Sequence, residues 1–363
     1  MSKKILIIAG GTGGHIFPGV AVADALISQG FEVAWLGSEI GMEKGVVAAR
    51  FDFHAVSVYQ LRGKGIKAWL LLPVRLCYAI IQARALLKKI KPDGVIAFGG
   101  FVAGPGSIAA KILRIPLIIH EQNARAGLTN RYLSKIATVT LQAFPYAFQN
   151  LCNKRCSSCQ FKTVGNPVRD SIQSLPLPAE RLFSHEGPLR LLILGGSLGA
   201  SALNTAIIDW LSQFSRVHEL VIKHQAGKAN SQAVQAAYAK QGLAVEVLPF
   251  IDDMASVWQW TDVVICRAGA ITVSEVAAVG VAALFVPMPN AVDNHQFYNA
   301  DYLASNGAAV IIEQKDVSPT RLSHEVTAFL DDRDTVLTMS NAARSLSKPM
   351  ATVDILSVIK NVC

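Results

Sequence analysis

Twice along this chain, a short apolar run ends in a glycine-rich segment and a helical pattern follows. The first run, Lys4–Ala9, leads into Gly10-Gly-Thr-Gly-Gly-His15, after which apolar residues recur at helical spacing from Phe17 to Gln29. The second run, Leu191–Leu194, leads into Gly195-Gly-Ser-Leu-Gly-Ala200 and another helical stretch. A strand, a glycine loop and a helix in this order open a doubly wound domain, so the repeat predicts two domains of the same kind.

Apolar strand candidates alternate with helical patterns along the rest of the chain. This alternation is typical of parallel sheets that are covered by helices on both faces. The strand candidates are Val33–Leu36, Gly94–Phe98 and Pro116–His120 in the first half, and Leu220–Lys223, Val263–Cys266 and Ala283–Val286 in the second. We therefore predict an α/β fold with two doubly wound, Rossmann-like domains that face a cleft, where such folds bind ligands.

The division between the domains is expected near the middle of the chain. A length of 363 residues favours two domains. Gly165-Asn-Pro-Val168 interrupts the alternation, because glycine and proline break regular elements. We divide the chain into residues 1–163 and 164–363, and expect the last helix to return to the first domain.

Apolar residues make up 51% of the chain, so a membrane span has to be considered. The longest uncharged run, Ile5–Ala23, contains five glycines and a proline, which suits a strand, loop and helix start better than a span. The apolar run after Lys3 and Lys4 is too short for a signal peptide. These features predict a cytosolic chain without a transmembrane helix.

Charge is distributed unevenly between the two halves. Residues 1–163 carry 20 Lys and Arg against 7 Asp and Glu, whereas residues 164–363 carry 14 against 19. A basic half suits nucleic acid, an anionic bilayer or a phosphorylated substrate. No nucleic-acid partner is expected, because the basic segments lack the regularly interleaved aromatic residues of a stacking platform.

Cys152, Cys156 and Cys159 lie close together in the sequence. Their spacing is also found in enzymes that bind iron–sulfur clusters, but a fourth ligand is missing. A surface insertion of reduced thiols is the interpretation that we favour.

The first glycine loop does not match a standard nucleotide motif. It lacks the third glycine of a dinucleotide site, because residue 16 is Ile, and it lacks the Gly-Lys-Ser/Thr of a P-loop. A turn of this kind still lets a diphosphate or a sugar approach backbone N–H groups at the start of a helix. A tight turn that binds no ligand is the alternative.

A second candidate site follows the strand that ends at Cys266. Gly269–Glu275 opens a helix with small residues and hydroxyls, which are good partners for phosphate oxygens. Glu275 is placed to accept two hydroxyls of a ribose. Thr272 and Glu275 also match a capping box, in which case they only close the end of the helix.

Seven segments of the sequence form a recognisable set in collinear order over nearly the whole chain. They are Gly10–His15, His120–Asn123 with Ala126–Asn130, Val164–Arg169, Gly195–Ala200, Phe250–Met254, Gly269–Glu275 and Asn294–Ala300. Together they resemble the MurG family of bacterial glycosyltransferases, part of glycosyltransferase family 28. That family adds N-acetylglucosamine to undecaprenyl-diphospho-N-acetylmuramoyl-pentapeptide.

The resemblance implies a GT-B enzyme of peptidoglycan synthesis. It implies transfer of N-acetylglucosamine from UDP-N-acetylglucosamine to the 4-hydroxyl of the N-acetylmuramoyl residue, with inversion and without a cofactor. It also implies a lipid-linked acceptor and a peripheral position on the cytoplasmic face of the plasma membrane. Another GT-B sugar-nucleotide enzyme, such as a soluble glycosyltransferase or a 2-epimerase, is the alternative.

Carried over residue by residue, the resemblance places the nucleotide mainly in the C-terminal domain and the acceptor in the N-terminal one. It implies that Glu275 binds the ribose and Ile251 the uracil, while Leu198 stands where the family usually has glutamine. The residues implied to contact the diphosphate are Ser197, Arg169, Ala270, Ile271, Thr272, Val273 and Ser274. Sugar contacts are implied for Asn123 and Gln296, and closure of the cleft for Thr12, Gly13 and Gly14.

Inversion in one displacement needs a base on the acceptor hydroxyl and stabilisation of the departing diphosphate. His15 and Glu121 are the candidates for the base, since histidine titrates near neutral pH and Glu121 follows a neighbouring strand. Helix N-termini and Arg169 can carry the leaving-group charge. Because no DxD-like pair follows a strand end in the second half, we expect that no metal is needed.

Basic residues flank a short apolar segment before a predicted helix. Lys64 and Lys67 precede Trp69-Leu70-Leu71-Leu72, and Arg75 follows it. Such a pattern suits a surface that meets anionic lipid. A core helix with a solvated basic face is the alternative, and the implied lipid-linked acceptor favours the membrane interpretation.

Overall fold

The computed structural model describes residues 2–58, 71–149, 161–183, 186–196 and 200–363. The chain divides into two compact units. The first unit comprises Met1–Val168 with Pro349–Cys363, and the second unit comprises Arg169–Lys348.

The boundary between the units lies after Val168, whereas the sequence analysis placed it before Val164. The intervening segment is hydrogen-bonded to the first unit. The Val164 N–H donates to the Gln142 carbonyl at 2.9 Å, and the Asn166 amide donates to the Gln122 carbonyl at 3.0 Å. These contacts tie the Gly-Asn-Pro segment to the first sheet.

The described strands of the first unit form one parallel sheet. They are β1 (Lys4–Ala9), β2 (Glu32–Ser38), β3 (Asp52–Val56), β4 (Gly94–Gly99), β5 (Leu117–Glu121), β6 (Val139–Gln142) and β7 (Phe161–Thr163). Their order is β3-β2-β1-β4-β5-β6-β7. The order reverses between β1 and β4, so the glycine loop after β1 lies at the switch point where such sheets bind ligands.

The described strands of the second unit form a second parallel sheet. They are β8 (Leu189–Leu194), β9 (Leu220–Gln225), β10 (Val245–Leu248), β11 (Val263–Cys266), β12 (Ala282–Phe285) and β13 (Ala309–Ile311). Their order is β10-β9-β8-β11-β12-β13, which again reverses beside the first strand of the unit. Two parallel sheets, with helices between most of the successive strands, confirm the predicted doubly wound α/β class.

Helices connect the strands in both units. In the first unit they are α1 (Gly13–Ser28), α2 (Met42–Val47), α3 (Leu72–Ile90), α4 (Ala103–Ile112) and α5 (Leu128–Leu133). In the second unit they are α6 (Asp170–Gln173), α7 (Pro178–Leu182), α8 (Ser201–Leu211), α9 (Ser231–Lys240), α10 (Met254–Trp260), α11 (Ala270–Val279), α12 (His295–Ala304), α13 (Pro319–Asp331) and α14 (Arg333–Ser345). None of the helices in the described ranges is both long and apolar enough to cross a bilayer.

The first strand shows why the sheets are buried on both faces. Ile5, Leu6, Ile7 and Ile8 of β1 are at most 1% exposed, as expected for a continuous apolar run between two helical layers. Burying each of these side chains contributes roughly 1.5–3 kcal/mol to folding, before the entropy cost of ordering the chain.

The last helix, α15 (Ala351–Val362), packs on α1 in the first unit. Its side chains Ile355 and Ile359 are fully buried in the same cluster as Ile7 and Trp35. The amphipathic face of α15 therefore completes the core of the first unit, although the second unit precedes it in the chain.

Candidate active site

The first glycine loop runs directly into α1 and places His15 in the first turn of that helix. We predicted a helix from Phe17, but it begins at Gly13, because the extended Thr12 offers its carbonyl to the N–H of His15 at 3.0 Å. Nδ1 of the half-buried His15 ring lies 2.9 Å from Oε1 of Gln122. The backbone of Gly99 packs on the ring, since a Cβ there would lie 2.9 Å from Cε1 of His15.

Gln122 and His120 continue this contact into the buried end of β5. Nε2 of Gln122 lies 3.0 Å from Nδ1 of His120 and 2.9 Å from the His120 carbonyl. Nε2 of His120 lies 3.0 Å from the Gly165 carbonyl. Burial lowers the pKa of His120 to about 4, so its ring is neutral at pH 7.

Glu121, the other candidate base, holds the loop that follows β5. Oε1 accepts from the N–H and the side-chain amide of Asn123 at 2.9 and 3.0 Å. Oε2 accepts from the Gly127 N–H at 3.1 Å and from the Asn130 amide at 2.8 Å. A buried carboxylate that accepts four such bonds is suited to fixing the loop and orienting Asn123.

A cavity of about 350 Å³ opens beside the first glycine loop, within the first unit. Gly10, Gly11 and Phe101 line it together with Glu43. The buried Glu43 carboxylate accepts from the Gly11 N–H at 3.1 Å and from the N–H and hydroxyl of Ser38 at 2.8 and 2.6 Å. Burial alone raises the pKa of Glu43, but the hydrogen bonds from Ser38 and Gly11 outweigh burial and hold it below the usual range.

Glu43 lies outside the motifs recognised in the sequence. Its hydrogen bond to Gly11 joins residues 32 positions apart, which no local pattern reveals. The one available signal was an acidic residue close after β2, at the same sheet edge as the glycine loop.

In the second unit, Glu275 on α11 lies against Arg169, which directly precedes α6. Oε1 of Glu275 is 3.3 Å from Nη2 of Arg169, and Oε2 accepts from the indole N–H of Trp258 at 3.1 Å. Burial raises the pKa of the Glu275 carboxyl, and the charge of Arg169 and the Trp258 hydrogen bond oppose that shift. Trp258, which the sequence analysis missed, is fully buried and orients one carboxylate oxygen.

The start of α11 contradicts the capping-box interpretation. The helix begins at Ala270, after an extended Gly269, so Thr272 lies inside the helix and does not cap it. Val273 is fully buried, and the Ser274 hydroxyl donates to the Ala270 carbonyl at 2.9 Å. The N–H groups of the first turn, which lack acceptors within the helix, are the groups of this segment suited to binding a phosphate.

The loop before α11 is braced from two sides. The Asn299 amide donates to the Ala268 carbonyl at 3.1 Å. Arg267 donates to the Val286 carbonyl at 3.0 Å and to Oε1 of Gln314 at 2.6 Å. These hydrogen bonds tie the loop before α11 to the neighbouring loops and helix.

Two further residues with implied nucleotide or sugar roles lie in loops of the second unit. Ile251 is buried and lies just before α10. Asp253 caps that helix by accepting from the Ser256 N–H at 3.1 Å. Gln296 accepts from the Met288 N–H at 2.9 Å and so braces the loop after β12. Among the described residues, no group of three or more His, Cys, Asp or Glu side chains is arranged to hold a metal ion.

Helix α3 carries apolar side chains on two faces. The inward face is buried in the core and comprises Ala79, Ala83, Leu87 and Ile90. The outward face is exposed and comprises Val74, Tyr78 and Ile81, which recur at helical spacing, together with Leu71 just before the helix. Arg84, Lys88 and Lys89 are exposed on the same helix, which has no acidic residue. The buried inward face and the exposed cations fit a core helix with a solvated basic face, whereas the exposed apolar side chains fit the membrane interpretation.

Several predicted residues lie outside the described residues. They are Ser197 of the second glycine loop, the cysteines Cys152, Cys156 and Cys159, and Lys64, Lys67, Trp69 and Leu70 of the basic apolar segment. Leu72 begins α3, and Arg75 is partly exposed on its first turn. Thr12, Gly13 and Gly14 are in the first unit with Asn123, whereas Ile271 and the rest of α11 are in the second unit.

Comparison with known proteins decides the family. The N-terminal domain of glycosyltransferase family 28 matches residues 5–142, and the C-terminal domain of that family matches residues 190–355. A protein of Coxiella burnetii named UDP-N-acetylglucosamine–N-acetylmuramyl-(pentapeptide) pyrophosphoryl-undecaprenol N-acetylglucosamine transferase is 46% identical over 358 residues, or 99% of this chain and 98% of that protein. The chain belongs to glycosyltransferase family 28.

Solved structures agree with this family 28 assignment. MurG of Acinetobacter baumannii matches with a TM-score of 0.83 at 39% identity, covering 99% of each chain. This match confirms the GT-B architecture. A UDP-GlcNAc 2-epimerase from Neisseria meningitidis, solved with UDP-GlcNAc, matches with a TM-score of 0.68 at 14% identity over 99% of this chain and 100% of that one. It shares the fold alone.

Proposed function

We propose that this family 28 glycosyltransferase transfers N-acetylglucosamine from UDP-N-acetylglucosamine to the 4-hydroxyl of the N-acetylmuramoyl residue of an undecaprenyl-diphosphate-linked pentapeptide acceptor, with inversion. The observation that carries the proposal is the 46% identity to the Coxiella burnetii transferase over 99% of the chain, since the name of that protein states the two substrates. The reaction is a step of peptidoglycan synthesis.

The donor is assigned to the second unit, along the start of α11. Backbone N–H groups at a helix N-terminus and the helix dipole favour the diphosphate. The side chain of Arg169 is 51% exposed, so its guanidinium can contact the leaving diphosphate while it pairs with Glu275. Glu275 is held by Trp258 and still has lone pairs for ribose hydroxyls.

The remaining donor residues keep the roles that the family resemblance implies. Ser197 and the Ala270–Ser274 backbone contact the diphosphate, Ile251 the uracil, and Gln296 the sugar. In the first unit, Asn123 is assigned to the sugar, and Thr12, Gly13 and Gly14 are also assigned to donor binding.

His15 is proposed as the base, because its ring is partly exposed whereas the Glu121 carboxylate is buried and accepts four hydrogen bonds. The O–H bond of the acceptor breaks as its proton passes to Nε2 of His15. The acceptor oxygen forms a bond to the anomeric carbon, and the bond from that carbon to the diphosphate breaks, releasing UDP.

An anionic membrane surface is proposed as a further partner. The outward apolar residues of α3, with exposed cations on the same helix, suit insertion at a lipid interface. Each cation near such a surface contributes about 1 kcal/mol to binding. The enzyme would then be peripheral on the cytoplasmic face of the plasma membrane, where the lipid-linked acceptor is held.

Radiolabelled UDP-N-acetylglucosamine tests the reaction. With a lipid-linked muramoyl-pentapeptide acceptor, label is expected to enter the lipid fraction in step with UDP release. Without the acceptor, the donor is expected to remain unchanged. Conversion of the donor to its 2-epimer in the absence of acceptor would instead indicate the epimerase alternative.

A further inference from the structure

We propose that Gln122 is a positioning residue: by bonding to His120 on one side and to His15 on the other, it fixes His15 as the Nδ1–H tautomer and leaves the lone pair on Nε2 for the acceptor hydroxyl. The mechanistic part of this inference rests on the proposed role of His15 as the base. The tautomer itself follows from the hydrogen-bond partners of Gln122, whose NH₂ group must face the His120 carbonyl.

The contact between His120 and Gly165 forms the buried end of this chain of hydrogen bonds. The Gly165 carbonyl can only accept, so Nε2 of His120, which lies 3.0 Å away, carries a hydrogen. The His120 ring is fully buried and neutral, with its pKa lowered by burial to about 4. Nδ1 of His120 is therefore bare and acts as an acceptor.

The orientation of the Gln122 amide in turn fixes which nitrogen of His15 carries a hydrogen. Its Nε2 is 2.9 Å from the His120 carbonyl and 3.0 Å from the bare Nδ1 of His120, and both of these atoms accept. The amide NH₂ must therefore face His120, which turns Oε1 toward His15. Because an amide oxygen has no hydrogen to donate, Nδ1 of His15, at 2.9 Å, is the donor.

The arrangement suits a group that gains and loses one proton. In the neutral ring of His15, the second nitrogen is bare and can accept the proton of the acceptor hydroxyl. After that transfer the imidazolium still donates through Nδ1 to Gln122, so the contact serves both protonation states. Gly99 packs against the ring and limits its rotation.

The tautomers can be read directly by long-range ¹H–¹⁵N correlation spectra of the full chain labelled with ¹⁵N-histidine. In the wild type, His15 is expected to carry its hydrogen on Nδ1, and His120 to carry its hydrogen on Nε2. Gln122→Met removes the acceptor without changing the side-chain length, so the His15 signals are expected to become those of mixed tautomers.

Kinetics of the same variants give the functional readout. Gln122→Met is expected to lower kcat by about 10- to 100-fold with little change in the KM for UDP-N-acetylglucosamine, less than the ~10⁴-fold loss from a wrong-tautomer partner in a serine protease, since Met imposes no tautomer. Gln122→Glu keeps an acceptor opposite Nδ1 of His15 and is expected to retain the His15 tautomer. Its second oxygen replaces the NH₂ group that faces two acceptors of His120, so kcat is expected to recover only in part. Gln122→Glu also tests the proposal if Gln122→Met does not fold.

Gln142→Met is the matched control. Gln142 is another buried glutamine of the first unit, but its amide donates to the Thr163 hydroxyl at 2.8 Å. This variant is expected to leave the His15 tautomer and kcat unchanged. An equal loss of kcat in the Gln142 and Gln122 variants, or an Nε2–H tautomer of His15 in the wild type, would overturn the proposal.

The phenotype of His15→Ala separates the role of His15 from that of Gln122. If His15→Ala keeps wild-type kcat while the His15 tautomer depends on Gln122, the base assignment is wrong and the tautomer assignment stands. If His15→Ala is inactive but the His15 tautomer does not depend on Gln122, the positioning role of Gln122 is wrong and the base assignment stands.

Discussion

The ring of His15 is partly exposed, whereas the carboxylate of Glu121 is buried and accepts four hydrogen bonds. Single substitutions can therefore separate the roles of the two residues. His15→Ala is expected to lower kcat by about 10² to 10⁴-fold, the usual cost of losing a general base, while UDP binding by the second unit stays within error. Steady-state kinetics and titration calorimetry with UDP measure the two quantities. The exposed His218 offers the control, since His218→Ala should change neither.

Glu121→Gln is expected to act on stability rather than on the chemical step. The amide keeps one acceptor oxygen but places an NH₂ group against donors that now lack a partner. Leaving buried donors unpaired costs about 1–3 kcal/mol each, so urea unfolding of the first unit should shift to lower concentrations. A loss of kcat above about 10²-fold with an unchanged unfolding curve would instead make Glu121 the base.

Glu275→Ala is expected to raise the KM for UDP-N-acetylglucosamine by about 10-fold or more and to leave the KM for the acceptor nearly unchanged, since the carboxylate is assigned to the ribose alone. Glu246→Ala is the control, because Glu246 is an exposed carboxylate of the same unit. Equal effects on both substrates would show that Glu275 only supports the fold.

At the level of elements, α3 combines a core face with an exposed apolar face. Val74→Gln with Ile81→Gln removes the two most exposed outward side chains, 67% and 66% exposed, while keeping the buried face. Binding to anionic vesicles and turnover of the long-chain lipid acceptor are expected to fall, while turnover of a short-chain soluble acceptor persists. Vesicle sedimentation and the two turnover assays measure these effects.

A matched pair controls for the loss of apolar surface as such. Ile112→Gln with Val353→Gln changes two exposed apolar side chains of the first unit that lie outside α3. That double variant should bind vesicles as the wild type does. Equal loss in both double variants, or binding that is insensitive to salt, would remove α3 from the membrane surface.

At the scale of the whole molecule, one buried histidine in each unit couples folding to pH. Burial lowers the pKa of His120 and of His224 from 6.5 to about 4. Between these values the unfolded chain binds protons that the folded chain does not, so stability is complete above pH 6.5 and is lost as the pH falls toward 4. The loss amounts to up to about 3 kcal/mol for each histidine.

Urea unfolding at several pH values between 7 and 4.5 measures this coupling. His224→Gln removes one titrating group and is expected to flatten the pH dependence for the second unit. His324→Gln, which changes an exposed histidine of that unit, should leave the dependence as in the wild type. An unchanged slope in His224→Gln would mean that His224 is not the group that titrates on unfolding.

The sequence alone determined the fold class, because hydrophobic periodicity and glycine loops are local. β1 and β8 are apolar at every position that two helical layers must cover, and the glycines that follow them allow the tight turn into a helix. The same locality explains the error at α1, where a glycine-rich stretch was interpreted as a loop although its backbone already forms the first helical turn. Some candidate site residues, such as His15, could be named from the chemistry of their side chains, whereas Ile251 and Gln296 were named only because their motifs resemble those of the family.

Only the tertiary structure decided which partner each of those side chains has. The contact of His15 with Gln122 joins residues 107 positions apart, and that of Arg169 with Glu275 joins residues 106 apart. Which atoms meet over such separations depends on how strands and helices pack, and neither propensity nor spacing encodes it. Packing also placed Gly127 and Asn130 against Glu121, and Trp258 against Glu275. It therefore decided which carboxylates and imidazoles are occupied by hydrogen bonds within the protein and which keep a lone pair that a substrate can use.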